Sequence, residues 1–424
     1  MNGNAKFLQL SARNTQKSNI FAVRNQHAMA LILRKNYLDE LNTWRDKQVI
    51  KVITGIRRCG KSTLMSQYKN MLIESGVEAS QIQSLNFEEL ENEQYLEYHA
   101  LYNHLKSNLI EGKMNYIFLD EVQMVKDFQK AIDSLFVKPN IDIYLTGSNA
   151  YMLSGEIATL VSGRYVEIKI LPLSFDEFCQ NRENKETEYR RYISTTSFPY
   201  ILQMNTDDEV RTYLQDVYNS VVLKDIMKRG SIKDSDLLER LIRFLTDNIG
   251  NISSISSITN TLASSGRKVS DHTIDNYIDL MTKSYLFQKV NRYDVKGKEI
   301  LRVGQKFYIT DIGIRNMLLG IRENDLGHIL ENIVYLELIR RGYQVFIGKI
   351  GTKEIDFVCL KNGIITYYQV ALTVRDSETL KRELEPLEKV KDHYQKILLT
   401  LDNDPTILHN GIQQIYVLDW LLDN

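Results

Sequence analysis

A buried strand that runs into a glycine-rich turn and then a helix is the feature that most narrows what this chain can fold into. Val49-Ile50-Lys51-Val52-Ile53 is the strand, Thr54-Gly55-Ile56-Arg57-Arg58-Cys59-Gly60 the turn, and residues 62–75 the helix. A short amphipathic helix precedes it, apolar at Tyr37, Leu38, Leu41 and Trp44. Further strands are expected over 84–87, 116–119 and 141–145, with helices over 100–111 and 127–137 between them. Strands alternating with helices of this length predict a parallel sheet covered on both faces. That is an α/β architecture, in which ligands sit at the carboxyl ends of the strands.

The turn itself fits G-x-x-x-x-G-K-[ST], from Gly55 to Ser62, and it stands between a strand and a helix as that motif requires. Glycines let successive backbone N–H groups point inward around phosphates, and the helix N-terminus adds partial positive charge. Gly55, Arg58, Cys59, Gly60, Lys61, Ser62 and Thr63 are therefore the expected nucleotide-binding residues. Lys61 is placed to reach the β- and γ-phosphates and the Ser62 hydroxyl to ligate Mg2+. Tyr116-Ile117-Phe118-Leu119-Asp120-Glu121 is an apolar strand that ends on two adjacent carboxylates, which buried strands do not normally do without a task at the tip. Asp120 fits the second carboxylate of a Mg2+ site and Glu121 the base that orients an attacking water. The next strand ends Leu145-Thr146-Gly147-Ser148-Asn149, a polar tip whose Ser148 or Asn149 is expected to hold that water and sense the γ-phosphate. Arg164, in Ser162-Gly163-Arg164-Tyr165, is either an arginine finger given to a neighbouring subunit or a surface cation. Because a base is present, the site is expected to hydrolyse ATP.

Charge and composition limit the rest. Basic and acidic residues number 53 and 54, so no global positive field exists to drive non-specific nucleic-acid binding, and any DNA contact must be a local patch. Cys59, Cys179 and Cys359 match no disulfide framework or zinc spacing, which points to a reducing, cytoplasmic setting. Apolar runs are strand-sized, far below the roughly 20 residues that span a bilayer, so no membrane partner is expected. Residues 1–28 hold no Asp or Glu but carry Lys6, Arg13, Lys17 and Arg24 among Asn, Gln and Ser, and read as a disordered extension before an ordered chain that begins near Met29.

From 174 to 250 the pattern is helical and strand-poor. Residues 251–303 read as helix, turn, helix and hairpin, with Ser270 as a helix N-cap and an apolar stripe at Ile274, Tyr277, Ile278 and Met281. That order is a winged helix-turn-helix, whose second helix enters a major groove when the module binds DNA. Thirteen basic residues against ten acidic ones between 224 and 300 leave an excess of three, with Arg267, Lys268, Arg292, Lys296 and Lys298 on the turn and the wing. Two uses stay open on this reading, a DNA contact and a bridge to other domains or proteins.

The segments G-I-R-R-C-G-K-S-T, L-D-E-V-Q at 119–123, L-T-G-S-N at 145–149, S-G-R-Y at 162–165 and L-P-L-S-F-D-E-F at 171–178 resemble the AAA-type ATPases of prokaryotes that are fused to a C-terminal domain of unknown function. The resemblance runs from about Met29 to the end. It implies an AAA+ core over 29–173, a helical lid over 174–250, a winged helix over 251–303 and a restriction-endonuclease-like α/β domain over 304–424, with ATP and Mg2+ as cofactors and a homo-oligomer as an expected assembly. It implies no settled biological role.

A nuclease of the implied kind needs an acid on a helix, an acid on a strand, and E-x-K on the neighbouring strand. Glu331, Asp356 and then Gln369-x-Ala371 follow that layout. Ala371 supplies no cation, and Lys353 is the nearest substitute in sequence, so the site reads as degenerate and nuclease activity as lost. The leading expectation is an ATP-driven switch acting through a C-terminal half that binds nucleic acid or a protein partner. An ATP-dependent nuclease in genome defence and an ATP-controlled DNA-binding regulator are the alternatives.

Overall fold

Five strands build the first sheet: β1 (Ile50–Thr54), β2 (Ile82–Asn86), β3 (Asn115–Asp120), β4 (Ile141–Gly147) and β5 (Tyr165–Lys169). Their spatial order is β2-β3-β4-β1-β5, and every pairing is parallel. The structure is a computed structural model and describes residues 32–148, 150, 163–180, 183–228, 230–264 and 269–423. Residues Met1–Arg34 form a unit separate from Lys35–Asn424, and only its last three residues are described. The basic extension over 1–28 therefore lies outside the described residues.

β1 and β3 are buried along their whole length, which is why they are continuous apolar runs rather than alternating ones. Side chains still alternate between the two faces. On one face Ile117, Leu119, Ile143 and Leu145 pack with α3 (Tyr98–Ser107) and α4 (Phe128–Phe136). On the other, Phe118 stacks on Tyr144 at 4.6 Å, and Tyr68 of α2 (Lys61–Glu74) packs against both. A preceding helix, α1 (Lys35–Thr43), buries Tyr37, Leu38 and Leu41. β5 escapes a sequence reading because Tyr165-Val166-Glu167-Ile168-Lys169 is a half-exposed edge strand with two charges.

Helices follow: α5 (Phe175–Cys179), α6 (Lys185–Ser194), α7 (Asp207–Ser220), a π-helical segment over Val221–Lys228, and α8 (Ser235–Asp247). Capping boxes start two of them, Ser174 with Glu177 and Thr206 with Glu209. Then come α9 (Ile255–Ser264) and α10 (Asp271–Lys283), the latter capped by Ser270, whose Oγ accepts from the Thr273 N–H at 3.1 Å.

The hairpin of β6 (Phe287–Asp294) and β7 (Glu299–Ile309) is not a free wing. It forms one edge of an eight-stranded mixed sheet with β8 (Gln344–Ile350), β9 (Lys353–Lys361), β10 (Ile364–Ala371), β11 (Gln395–Thr400), β12 (Ile407–His409) and β13 (Ile412–Tyr416). The order is β12-β13-β11-β10-β9-β8-β6-β7. The division at 303/304 thus falls inside a single strand. The register between β6 and β7 slips between Asn291 and Arg292, and Gly304 takes φ +78°, so a bulge there looks like a strand end in sequence. The sheet is completed by α11 (Ile312–Leu319), α12 (Leu326–Arg340), α13 (Ser377–Glu388) and α14 (Val417–Leu422).

Asp311 joins the helical segment to this half. Its Oδ2 accepts from Thr196 Oγ1, Ser197 N and Ser197 Oγ at 2.7–2.9 Å, while its Oδ1 caps α11 through Ile314 N at 3.0 Å. No helix among the described residues is long and apolar enough to cross a membrane.

Candidate functional site

β1 ends at Thr54, and the chain turns through residues 55–60 into α2. Gly55 has φ +149° and Gly60 φ +100°, backbone states that side-chain-bearing residues rarely adopt. A Cβ on Gly55 would lie 2.3 Å from the Ile170 carbonyl oxygen and 2.9 Å from Cys59 Sγ, so only glycine fits between the turn and the chain leaving β5. Cys59 itself is buried, and Arg58, Ser62 and Thr63 are exposed on the turn and the first turn of α2. No side chain caps α2, so its first N–H groups remain for another acceptor. Lys61 Nζ donates to the Gly55 and Ile56 carbonyls at 3.1 and 3.3 Å, and lies 3.8 Å from Glu121 Oε1.

The two carboxylates at the tip of β3 are organised by one residue of β4. Thr146 Oγ1 accepts the Glu121 N–H at 2.9 Å and donates to Asp120 Oδ1. Gln123 Nε2 donates to the Glu121 carboxylate, whose residue sits at φ +52°, strain of the kind that gathers at functional positions. Thr146 was not singled out from sequence, although it stands in the same polar tip as the residues that were. Ser148 is fully buried and its Oγ has no hydrogen-bond partner among the described residues. Asn149 lies outside the described residues.

Arg164 is placed elsewhere. Its carbonyl accepts the Ile50 N–H at 2.8 Å, so it sits at the start of β1. The phosphate-type turn is at the other end of that strand, about 13 Å away at 3.3 Å per residue. Its guanidinium pairs with Asp133 Oδ1 at 2.5 Å and lies over the Phe136 ring. Within its own chain, then, Arg164 does not join the site.

These residues fit a nucleotide triphosphate with Mg2+. The cradle at Gly55 leaves no room for a side chain, the first turn of α2 is uncapped, Lys61 is held mainly by carbonyls, and Ser148 Oγ is an orphaned buried hydroxyl. A family model described as an AAA domain matches residues 47–179, and a domain of unknown function matches 186–325. An uncharacterized Haemophilus influenzae protein is 40% identical over 401 residues, which is 93% of this chain and 99% of that one. The chain belongs to this family of AAA-domain proteins. An uncharacterized protein of Methanocaldococcus jannaschii is 30% identical over 380 residues, covering 84% of this chain and 80% of its own. Among solved structures, the Walker-type ATPase of Pyrococcus abyssi is 14% identical with a TM-score of 0.47, covering 68% of this chain and 95% of that one.

A second constellation in this AAA-domain protein brings together the acids expected of the nuclease-like layout. Glu331 comes from α12, Asp356 from β9 and Gln369 from β10. Gln369 Oε1 accepts the Asp356 N–H at 3.3 Å, and its Nε2 donates to Glu383 at 3.0 Å. Asp356 Oδ2 accepts from Val370 N at 2.8 Å. Glu331 Oε1 accepts from Lys306 Nζ at 2.8 Å and from the Tyr308 hydroxyl at 2.6 Å, and Lys306 Nζ also lies 2.6 Å from Glu354 Oε1. Burial, and then Glu331, pushes the Asp356 carboxyl well above the usual range. Burial alone would pull Lys306 down, but Glu331, Asp356 and Glu354 outweigh it and hold the ammonium above its ordinary value. Lys353, the expected substitute, pairs instead with Glu385 of α13 at 2.8 Å. The cation beside these acids is Lys306 of β7, which no spacing rule in the sequence picks out because only the packing of β7 against α12 brings it to Glu331. Among the described residues no three His, Cys, Asp or Glu side chains are arranged to hold a metal ion.

Proposed function

We propose that this protein is a Mg2+-dependent ATP hydrolase that works as a nucleotide-driven switch, with its C-terminal half meeting a protein partner. The observation that carries hydrolysis is the pairing of Lys61 with Glu121 at 3.8 Å, beside the glycine turn. Bound ATP supplies the phosphoanhydride, and Mg2+ the positive charge that offsets the build-up on the transferring phosphoryl group. Ser62 and Asp120 would hold the cation, and Thr146 Oγ1 donates to the Asp120 carboxylate and fixes it. Lys61 neutralises the phosphates. Glu121 takes a proton from the attacking water; Gln123 Nε2 holds its carboxylate, and Thr146 Oγ1 accepts its backbone N–H.

Coupling to the other half has a direct route. Glu167 Oε1 on β5 accepts both Thr54 Oγ1, at 2.6 Å, and the Tyr285 hydroxyl, at 3.1 Å. The strand that feeds the glycine turn is thereby joined to Tyr285, in the turn between α10 and β6.

α9, α10 and the β6–β7 hairpin have the order of a winged helix. The exposed face of α10, however, carries Asp271, Asp275 and Asp279 at one-turn spacing. Lys283 pairs with Asp279 at 2.7 Å, and Lys289 lies 4.0 Å from Asp275. A groove-reading helix with that face would bring carboxylates against phosphates. Lys296 and Lys298 are exposed on the hairpin turn, while Arg267 and Lys268 lie outside the described residues. A basic protein surface suits α10 better than a duplex. In the same reading the Glu331–Asp356–Gln369 cluster is nuclease-like in layout, with its carboxylates neutralised from within by Lys306.

ATP hydrolysis by the purified chain, titrated with single- and double-stranded DNA at low salt, tests the partner reading. The rate is expected to stay within about twofold, since salt-sensitive phosphate contacts are few. A large stimulation that salt abolishes would transfer the partner role to nucleic acid.

A further inference from the structure

Arg57 stands inside the glycine turn at a position the motif leaves open, and its side chain does not point idly to solvent. Its Nε donates to Asp225 Oδ2 at 2.9 Å and its Nη1 to Glu88 Oε1 at 3.4 Å. Among the described residues Nη2 makes no hydrogen bond. Asp225 is 1% exposed and belongs to the π-helical segment Val221–Lys228, the direct continuation of α7. Burial alone would pull the Arg57 guanidinium down, but Asp225, then Glu121 and Glu88, outweigh it and hold it charged. Arg57 therefore shares its charge environment with Glu121 at the tip of β3 and is physically tied to the helical half.

We propose that Arg57 reads the terminal phosphate of the bound nucleotide, and that its clasp on Asp225 carries that reading into the segment Val221–Lys228. This rests on the ATP-site reading above. A guanidinium offers five N–H donors in a planar fork and matches phosphate oxygens two at a time. A γ-phosphate beside Glu121 adds charge and acceptors that a diphosphate lacks, so Arg57 divides its donors differently between the ligand and Asp225 in the two cases. The receiving element is suited to respond. π-Helices are rare, make i→i+5 bonds and occur mostly as single turns at functional sites, yet this one runs for eight residues. An α-helical winding of the same residues is an alternative arrangement, and packed elements switch between discrete arrangements rather than deforming smoothly. Arg57 grips that element at its buried carboxylate.

The test uses the full chain and four proteins: wild type, Arg57→Ala, Arg57→Lys and Asp225→Asn. Affinities for a non-hydrolysable ATP analogue and for ADP are measured, with amide hydrogen exchange over 207–247 with and without each nucleotide. Arg57→Ala is expected to weaken the ATP analogue by roughly tenfold or more and ADP by less than about threefold, as loss of a charge-assisted, two-pronged contact implies. Arg57→Lys, which keeps the charge and loses the fork, should fall between. Asp225→Asn should keep the preference for ATP over ADP and lose the nucleotide-dependent change in exchange at 221–228. Should the Arg57→Ala chain not fold, Arg57→Lys decides, and a wild-type preference in it overturns the proposal. A wild-type chain that prefers ATP, with the same preference in Arg57→Ala, overturns the clasp alone. A wild-type chain that binds neither nucleotide overturns both the clasp and the ATP-site reading.

Discussion

Lys61→Ala is expected to abolish ATP turnover and leave the chain folded. Lys61 is buried, but its ammonium is held by two carbonyl oxygens of the turn and by Glu121 at 3.8 Å, not by a tight carboxylate pair. Truncation breaks no tight charge pair and leaves the apolar packing of α2 through Leu64, Met65, Tyr68 and Leu72 untouched. The chemistry has no such reserve. A preorganised positive charge aimed at the transferring group is worth on the order of 10²–10³ in rate, and here the same group also binds the phosphates. Phosphate release measured beside a circular-dichroism melt checks both halves of the expectation. Unchanged turnover in a folded Lys61→Ala chain would sink the assignment of the glycine turn to phosphate binding.

The second large effect separates binding from chemistry. Glu121→Gln keeps the size of the side chain, the backbone bond to Thr146 Oγ1 and an oxygen for Gln123 to donate to. It removes only the capacity to take a proton. General-base loss of this kind costs about 10²–10⁴ in rate, so the variant should bind ATP with near wild-type affinity and hydrolyse it very slowly. Nucleotide titration and single-turnover hydrolysis on the same preparation read the two quantities. Normal hydrolysis would reduce Glu121 to a partner of Lys61.

What was legible in the sequence was local. The glycine turn and the Asp120–Glu121 pair are contiguous residues whose placement follows from spacing, because the turn and the strand tip each position their groups by their own backbone. The parallel sheet was legible for the same reason, since β1, β3 and β4 are buried on both faces and read as unbroken apolar runs. The rest depends on pairings across the chain. Thr146 organises both carboxylates, but only the β3–β4 register puts it there. Arg164 stands in Ser162-Gly163-Arg164-Tyr165 and reads as a loop cation, yet pairing of β5 with β1 carries it to the opposite end of the strands from the turn. Lys306 stands in the same half as Glu331 in sequence, but only the packing of β7 against α12 joins the two, which no spacing rule contains. Arg57 meets Asp225 across 168 residues, a contact no spacing rule contains.

The most direct measurement is steady-state phosphate release from ATP by the purified full chain, with Mg2+ and with the metal chelated. The account requires release that depends on Mg2+ and disappears in Glu121→Gln. Release at the level of buffer in every condition, from a chain shown to be folded, would contradict it.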